Sequence, residues 1–184
     1  MKRAFDFLVS ACGLIVLMPV MLVVAWFVAR SSPGGVLFVQ TRVGRFEKPF
    51  QCYKFRTMAH GAPNAGSHQV ADSWITPTGR RLRSSKLDEL PQLLNVLRGD
   101  MSLVGPRPCL PHQHDVIAAR RARDVFRIRP GITGTAQLAS IDMSTPEKLA
   151  EADSRYIENR SFTGDLRIIA ATVLGGGSGD AASR

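Results

Sequence analysis

Asp88 and Glu89 are adjacent carboxylates that follow Arg80, Arg81, Arg83 and Lys86 in the stretch RRLRSSKLDELPQ. Paired acids beside several cations suit chemistry on an anion. The cations can bind phosphate, and their field keeps both acids ionised, as a nucleophile or a metal ligand requires. The same residues also have a plain structural use. Leu87, Leu90, Leu94 and Leu97 recur at helical spacing, and Pro91 is tolerated only in a first turn, so a helix is expected with Leu87 or Asp88 near its N-cap. An acid there opposes the helix dipole, a contribution on the order of 1 kcal/mol. Because a helix N-terminus also attracts phosphate, capping and chemistry both stand at this point.

Further cations lie on either side of this pair. Residues 36–43 and 50–58 are β-rich runs flanking GRFEKP, which predicts a hairpin. Period two puts Lys54 and Arg56 on one face of the second strand, about 7 Å apart, either gripping a phosphate or facing solvent. Arg107 sits between Pro106 and Pro108 on stiff backbone, which helps aim a guanidinium for bidentate contact. Residues 60–74 form a polar loop of the length used for lids and binding segments, and equally for disordered ones. His112, His114 and Asp115 have no second pair at ligand spacing. Cys12, Cys52 and Cys109 are odd in number and scattered, so the chain reads as reducing and cytoplasm-facing, with neither a zinc site nor a disulfide framework. The Gly-rich fingerprints of Rossmann and P-loop nucleotide sites are missing from the sequence.

The elements that must position these groups fit one domain of 184 residues. Of the net charge of +9, the residues through Arg83 carry +8, with eleven Lys and Arg against three Asp and Glu. Such a surface suits nucleic acid, anionic lipid or phosphorylated substrates. An uncharged run from Phe7 to Ala29 disfavours nucleic acid and predicts a membrane segment. A cleaved signal peptide fits poorly, since the run is long and Arg30 ends it without a small-x-small site. Pro19 predicts a kink, and cations at both ends (Lys2, Arg3; Arg30, Arg42, Arg45) suggest that both ends lie on one side. Two legs of roughly 17 Å would enter one leaflet and return, while a kinked spanning helix stays open.

Downstream, MSLV reads as a short strand, 113–126 as a helix, and the Arg120, Arg121, Arg123, Arg127 and Arg129 cluster as a solvated or membrane-facing surface. A helix is expected from Thr145-Pro146-Glu147 onward, and a last apolar one over DLRIIAATVL.

These residues together resemble the bacterial sugar transferase family of monotopic phosphoglycosyl transferases. The likeness runs through the Pro-interrupted N-terminal segment, KFRTM, LRSSKLDELPQLLNVLRGDMSLVGPRP, RPGITG and YIENRSFTGDLRII. It implies an α+β fold: a re-entrant membrane helix over 1–30 that breaks at Met18-Pro19, a small cytoplasmic α/β catalytic domain over 31–174 with a β-hairpin and interfacial helices, and a flexible tail over 175–184. It implies transfer of a sugar 1-phosphate from a UDP-sugar to polyprenyl (undecaprenyl) phosphate with release of UMP. This would be the initiating step of bacterial glycan assembly, at the cytoplasmic face of the inner membrane, with downstream glycosyltransferases as candidate partners. By the same resemblance Asp88 is the nucleophile, Glu89 helps hold Mg²⁺, and Lys54, Arg83 and Arg107 bind phosphate, with Arg56 joining them by proximity. The pattern departs after PGITG, where many members have Trp-Ala-Gln and then Asn-Gly-Arg. This chain has Thr135-Ala136-Gln137 and then LASIDMSTP, so the Arg expected near Ser140 or Ile141 is missing and sugar choice there is in doubt. Two other readings remain: a phosphatase acting on lipid phosphates through the same Asp, and a non-catalytic module that binds anionic lipid.

Overall fold

The computed structural model describes residues 2–63 and 70–177. Its architecture is mixed helix and sheet, with seven helices and two two-stranded sheets among the described residues. The first helix, α1 (Lys2–Ser31), is long and apolar enough to cross a membrane. It runs unbroken through Met18 and Pro19, so the expected break is not one of secondary structure. The packing explains this. Leu14 and Leu17 before the proline, and Met21, Val24 and Val28 after it, all rest on the body of the protein. With Asp6 and Ser10 they form one stripe at three- and four-residue spacing, which packs both legs against the body. The opposite side, including Leu8, Ile15, Val16 and Leu22, is more than half exposed.

The body contacts α1 at both ends. Lys2 Nζ meets Asp165 Oδ2 at 2.6 Å, and Arg3 donates to the carbonyls of Val96 and Leu97. Asp6 accepts from the Ser102 hydroxyl at 2.8 Å. Val24 and Val28 pack with Phe55 and Leu82 near the other end.

Strands β1 (Leu37–Val43) and β2 (Pro49–Phe55) form the expected antiparallel hairpin, with Phe38 opposite Lys54 and Gln40 opposite Cys52. A helix not anticipated from sequence follows, α2 (Pro77–Ser85), capped by Thr76, whose hydroxyl accepts from the Gly79 N–H at 2.9 Å. Gly79 is required because a Cβ there would lie 1.9 Å from the Thr57 carbonyl oxygen.

The next helix, α3 (Gln92–Arg98), starts later than expected, with Pro91 at its N-cap. Asp88 is therefore not a helix cap. It lies in a separate 3₁₀ turn, Leu87–Glu89. The buried face of α3 is also shifted, since Leu93 and Val96 enter the core while Leu94 is exposed.

Strand β3 (Ser102–Val104) pairs in parallel with β4 (Gly131–Thr133), so MSLV and PGITG lie side by side. Between them α4 (His114–Ala122) stops before the expected Phe126, where Asp124 takes a left-handed conformation (φ 50°). After β4 come α5 (Thr135–Leu138), α6 (Pro146–Glu158), which begins where the Thr-Pro signal put it, and α7 (Phe162–Val173). The Ser161 hydroxyl caps α7 by accepting from Gly164 N–H, which starts that helix three residues before Asp165. Met101, Val104, Val125, Tyr156 and Ile168 fill the main core. Of the anticipated tail, Gly176 accepts from Lys86 Nζ, and residues 178–184 lie outside the described residues.

Candidate active site

Three segments converge on the Asp88–Glu89 pair. The first is the hairpin, where β2 carries Lys54 toward the pair. Arg56 lies just past the strand end and donates from Nη2 to the Ser32 carbonyl at 2.8 Å. The second is α2, whose Arg83 is 6 % exposed and donates from Nε to Thr57 Oγ1 at 2.9 Å. Helix α2 then ends on Lys86 in a left-handed conformation (φ 58°), uncommon for a side-chain-bearing residue, and this reversal starts the 3₁₀ turn that turns both acids toward Lys54. The third is the loop after β3, which supplies Arg107.

The two acids have different surroundings. Glu89 Oε1 accepts from Lys54 Nζ at 2.9 Å and from Arg107 Nη2 at 2.8 Å. Asp88 is 3 % exposed and lines a cavity of about 270 Å³ together with Lys54, Arg56 and Arg83. All six expected site residues are thus brought together in two overlapping groups, and Arg83 Nη1 carries a further signal. It is buried without a hydrogen-bond partner among the described residues, a costly state for a cation unless an anion completes it.

Gln40 and Arg42 line the same cavity and were not expected among the site residues. Arg42 donates from Nη2 to Gln40 Oε1 at 2.5 Å and from Nη1 to the Pro108 carbonyl at 3.0 Å, tying the hairpin to the Arg107 loop. Period-two alternation along β1 was the available signal, since Gln40 and Arg42 share the face of Phe38, which lies opposite Lys54.

Arg107 is itself held from behind. Its carbonyl accepts from Arg120 Nη1 at 2.7 Å, and Arg120 is ion-paired to Asp153 at 2.7 Å with both side chains almost fully buried. Arg120 therefore leaves the solvated cluster expected from sequence. Arg121 and Arg123 pair with Glu47 and Glu147 at the surface. Burial pushes the Asp153 carboxyl up, and the Arg120 guanidinium beside it opposes that rise. Burial likewise raises the thiols of Cys52 and Cys109, both of which pack in the core.

This arrangement can hold a diphosphate between several fixed cations with one carboxylate in the cavity wall. No group of three His, Cys, Asp or Glu side chains gathers anywhere among the described residues. The oxygen donors of Asp88 and Glu89 nonetheless fit Mg²⁺, which takes one or two protein carboxylates and completes its shell with phosphate oxygens and water. The expected loop reaches this cavity through His60 and Pro63, and its residues 64–69 lie outside the described residues.

A family profile described as "Bacterial sugar transferase" matches residues 1–176. The chain is 42 % identical over 174 residues to an "Uncharacterized sugar transferase EpsL" of Bacillus subtilis, covering 94 % of this chain and 85 % of that one. It is 41 % identical over 184 residues to a UDP-glucose:undecaprenyl-phosphate glucose-1-phosphate transferase of Caulobacter vibrioides, covering 94 % and 68 %. A UDP-N-acetylgalactosamine-undecaprenyl-phosphate N-acetylgalactosaminephosphotransferase of Aeromonas hydrophila is 36 % identical over 179 residues, covering 94 % of this chain and 42 % of that protein.

Proposed function

Because this chain belongs to the bacterial sugar transferase family, we propose that it moves a sugar 1-phosphate from a UDP-sugar to polyprenyl phosphate, with Asp88 carrying the group between the two. The supporting observation is the buried Asp88 carboxylate in the wall of a cavity whose other charged groups are Lys54, Arg56, Arg83 and Arg42. A diphosphate drawn in by these cations meets one carboxylate, while the other is already engaged by Lys54 and Arg107.

In the first half-reaction an Asp88 carboxylate oxygen attacks the β-phosphorus of the UDP-sugar. The bond from that phosphorus to the bridging oxygen breaks, and the electron pair leaves with UMP. In the second, a terminal oxygen of polyprenyl phosphate attacks the same phosphorus, the acyl phosphate bond breaks, and the Asp88 carboxylate is restored. Splitting one transfer into two displacements is what covalent catalysis offers, and ping-pong kinetics follow. Bound Mg²⁺, held by Glu89 with the substrate phosphates, would neutralise diphosphate charge. Lys54, Arg83 and Arg107 hold phosphate oxygens, and Arg56 and Arg42 extend the cationic wall. Arg83→Gln removes the buried guanidinium aimed into the cavity. It is expected to lower kcat/KM for the UDP-sugar by about 10²- to 10³-fold in steady-state assays.

The packing of α1 supports a monotopic arrangement. A helix of 30 residues is about 45 Å long, and the body of the protein contacts it near Lys2 and again near Val28. Were α1 to stand across a bilayer, the charged body would be drawn into hydrocarbon. We place the body on the cytoplasmic face of the inner membrane, with both ends of α1 on that side and its exposed apolar face in lipid.

The test of function is incubation of the full chain with Mg²⁺, polyprenyl phosphate and a panel of UDP-sugars. Polyprenyl diphosphate sugar and UMP are expected in equal amounts for at least one donor. Inorganic phosphate released from lipid phosphate, with no sugar lipid, would establish a phosphatase instead.

A further inference from the structure

The Arg83 guanidinium is planar, so a hydrogen bond at Nε fixes the plane in which both Nη groups lie. That bond goes to Thr57 Oγ1, at 2.9 Å. Arg83 and Thr57 are 6 % and 7 % exposed, and both line the cavity that holds Asp88. Nη1 of the same guanidinium is the buried atom without a partner among the described residues.

Thr57 also holds the helix from which Arg83 projects. Its carbonyl accepts from the Thr76 N–H at 3.0 Å and from the Thr76 hydroxyl at 3.3 Å, and Thr76 is the cap of α2. Gly79, in the first turn, packs directly on that carbonyl. Arg83 follows Gly79 by four residues and so shares its face of α2. Thr57 thus meets α2 twice, through its backbone at the helix start and through its hydroxyl one turn later. The two contacts are chemically separable. The carbonyl is present whatever side chain stands at 57, whereas only a hydroxyl accepts from Nε.

We propose that Thr57 is the positioning residue of Arg83: its hydroxyl sets the guanidinium so that the unpartnered Nη1 meets an oxygen of the diphosphate in the cavity. The proposal rests on the transferase reading above and deepens it, because the grip on the donor then depends on an uncharged residue that touches no reacting atom. Without the hydroxyl, two buried donors of one cation lack partners, and the guanidinium turns toward other acceptors.

The test is a double-mutant cycle in the full-length protein. Thr57→Val removes the hydroxyl at nearly constant volume and keeps the backbone contacts with Thr76 and Gly79. It is expected to lower kcat/KM for the UDP-sugar about 10- to 10²-fold, the scale of a hydrogen bond to a charged group. Thr57→Ser, which keeps the hydroxyl, should retain most of the activity. In an Arg83→Gln background there is no guanidinium to set, so Thr57→Val should cost little more. A hydroxyl that touched the substrate itself, or acted only through stability, would lose the same factor in both backgrounds and overturn the proposal. Wild-type kcat/KM in Thr57→Val would overturn it as well. Should a melting curve show that Thr57→Val does not fold, Thr57→Ala takes its place in the cycle, with the same outcomes. If the wild type transfers no sugar to lipid, the transferase reading falls on its own, and calorimetric binding of inorganic pyrophosphate to the same four proteins decides the role of Thr57. Binding weakened by Thr57→Val only where Arg83 is present upholds it, and any other pattern overturns it.

Discussion

Asp88→Asn is expected to lower kcat by at least about 10⁴-fold while the protein stays folded, the scale of loss seen when a covalent nucleophile is removed. The substitution keeps the volume of a side chain that is 3 % exposed, so packing around the Leu87–Glu89 turn is preserved. The amide cannot form the acyl phosphate, and the cations that line the cavity remain to bind the donor. Donor affinity should therefore survive the loss of turnover, which binding of a UDP-sugar to the variant would measure alongside a melting curve. Equal activity in Asp88→Asn would return the residue to a structural part. Glu89→Gln provides the contrast. It weakens the shared contact with Lys54 and Arg107, so it should reduce both half-reactions without removing the covalent intermediate.

The second large effect lies behind the site. Asp153→Asn leaves the Arg120 guanidinium buried without its counter-charge, and is expected to destabilise the fold by about 3–5 kcal/mol in denaturant titrations. Stability and positioning can then be separated. Replacing both partners with apolar residues, as in Arg120→Met with Asp153→Leu, should recover most of the stability, since a buried ion pair is often matched by hydrophobic packing of similar volume. It would not recover the hydrogen bond from Arg120 to the Arg107 carbonyl. Full stability with a reduced kcat is the expected signature of Arg120 as a positioning residue. A double variant with wild-type stability and wild-type turnover would show that the two prolines beside Arg107 hold it unaided.

Much of the site was legible in the sequence because its parts are local. The hairpin followed from two β-rich runs, and period two gave Lys54 its face. The pair at 88 and 89 was conspicuous by adjacency, and the α6 start was fixed by Thr145-Pro146. What escaped depends on contacts between distant segments. Asp88 was expected at a helix cap, yet Lys86 adopts a positive φ that no periodicity reveals, so a separate turn precedes α3. Arg120 sits among five arginines of similar appearance, and only the approach of α6 with Asp153 distinguishes it. In α1 the three-and-four stripe was hidden because nearly every position is apolar, and the helix continues through Pro19, where a break was expected. The unpartnered Nη1 of Arg83 could not be inferred at all before the fold placed it in a closed wall.

The most direct measurement of the central claim omits the acceptor. Purified full-length protein, mixed with Mg²⁺ and the UDP-sugar it accepts, should release one equivalent of UMP per active site in a rapid burst. Mass spectrometry should then find a sugar phosphate attached at Asp88, discharged when polyprenyl phosphate is added. Release of UMP only when the acceptor is present, with no adduct on Asp88 at any time, would contradict the two-step account.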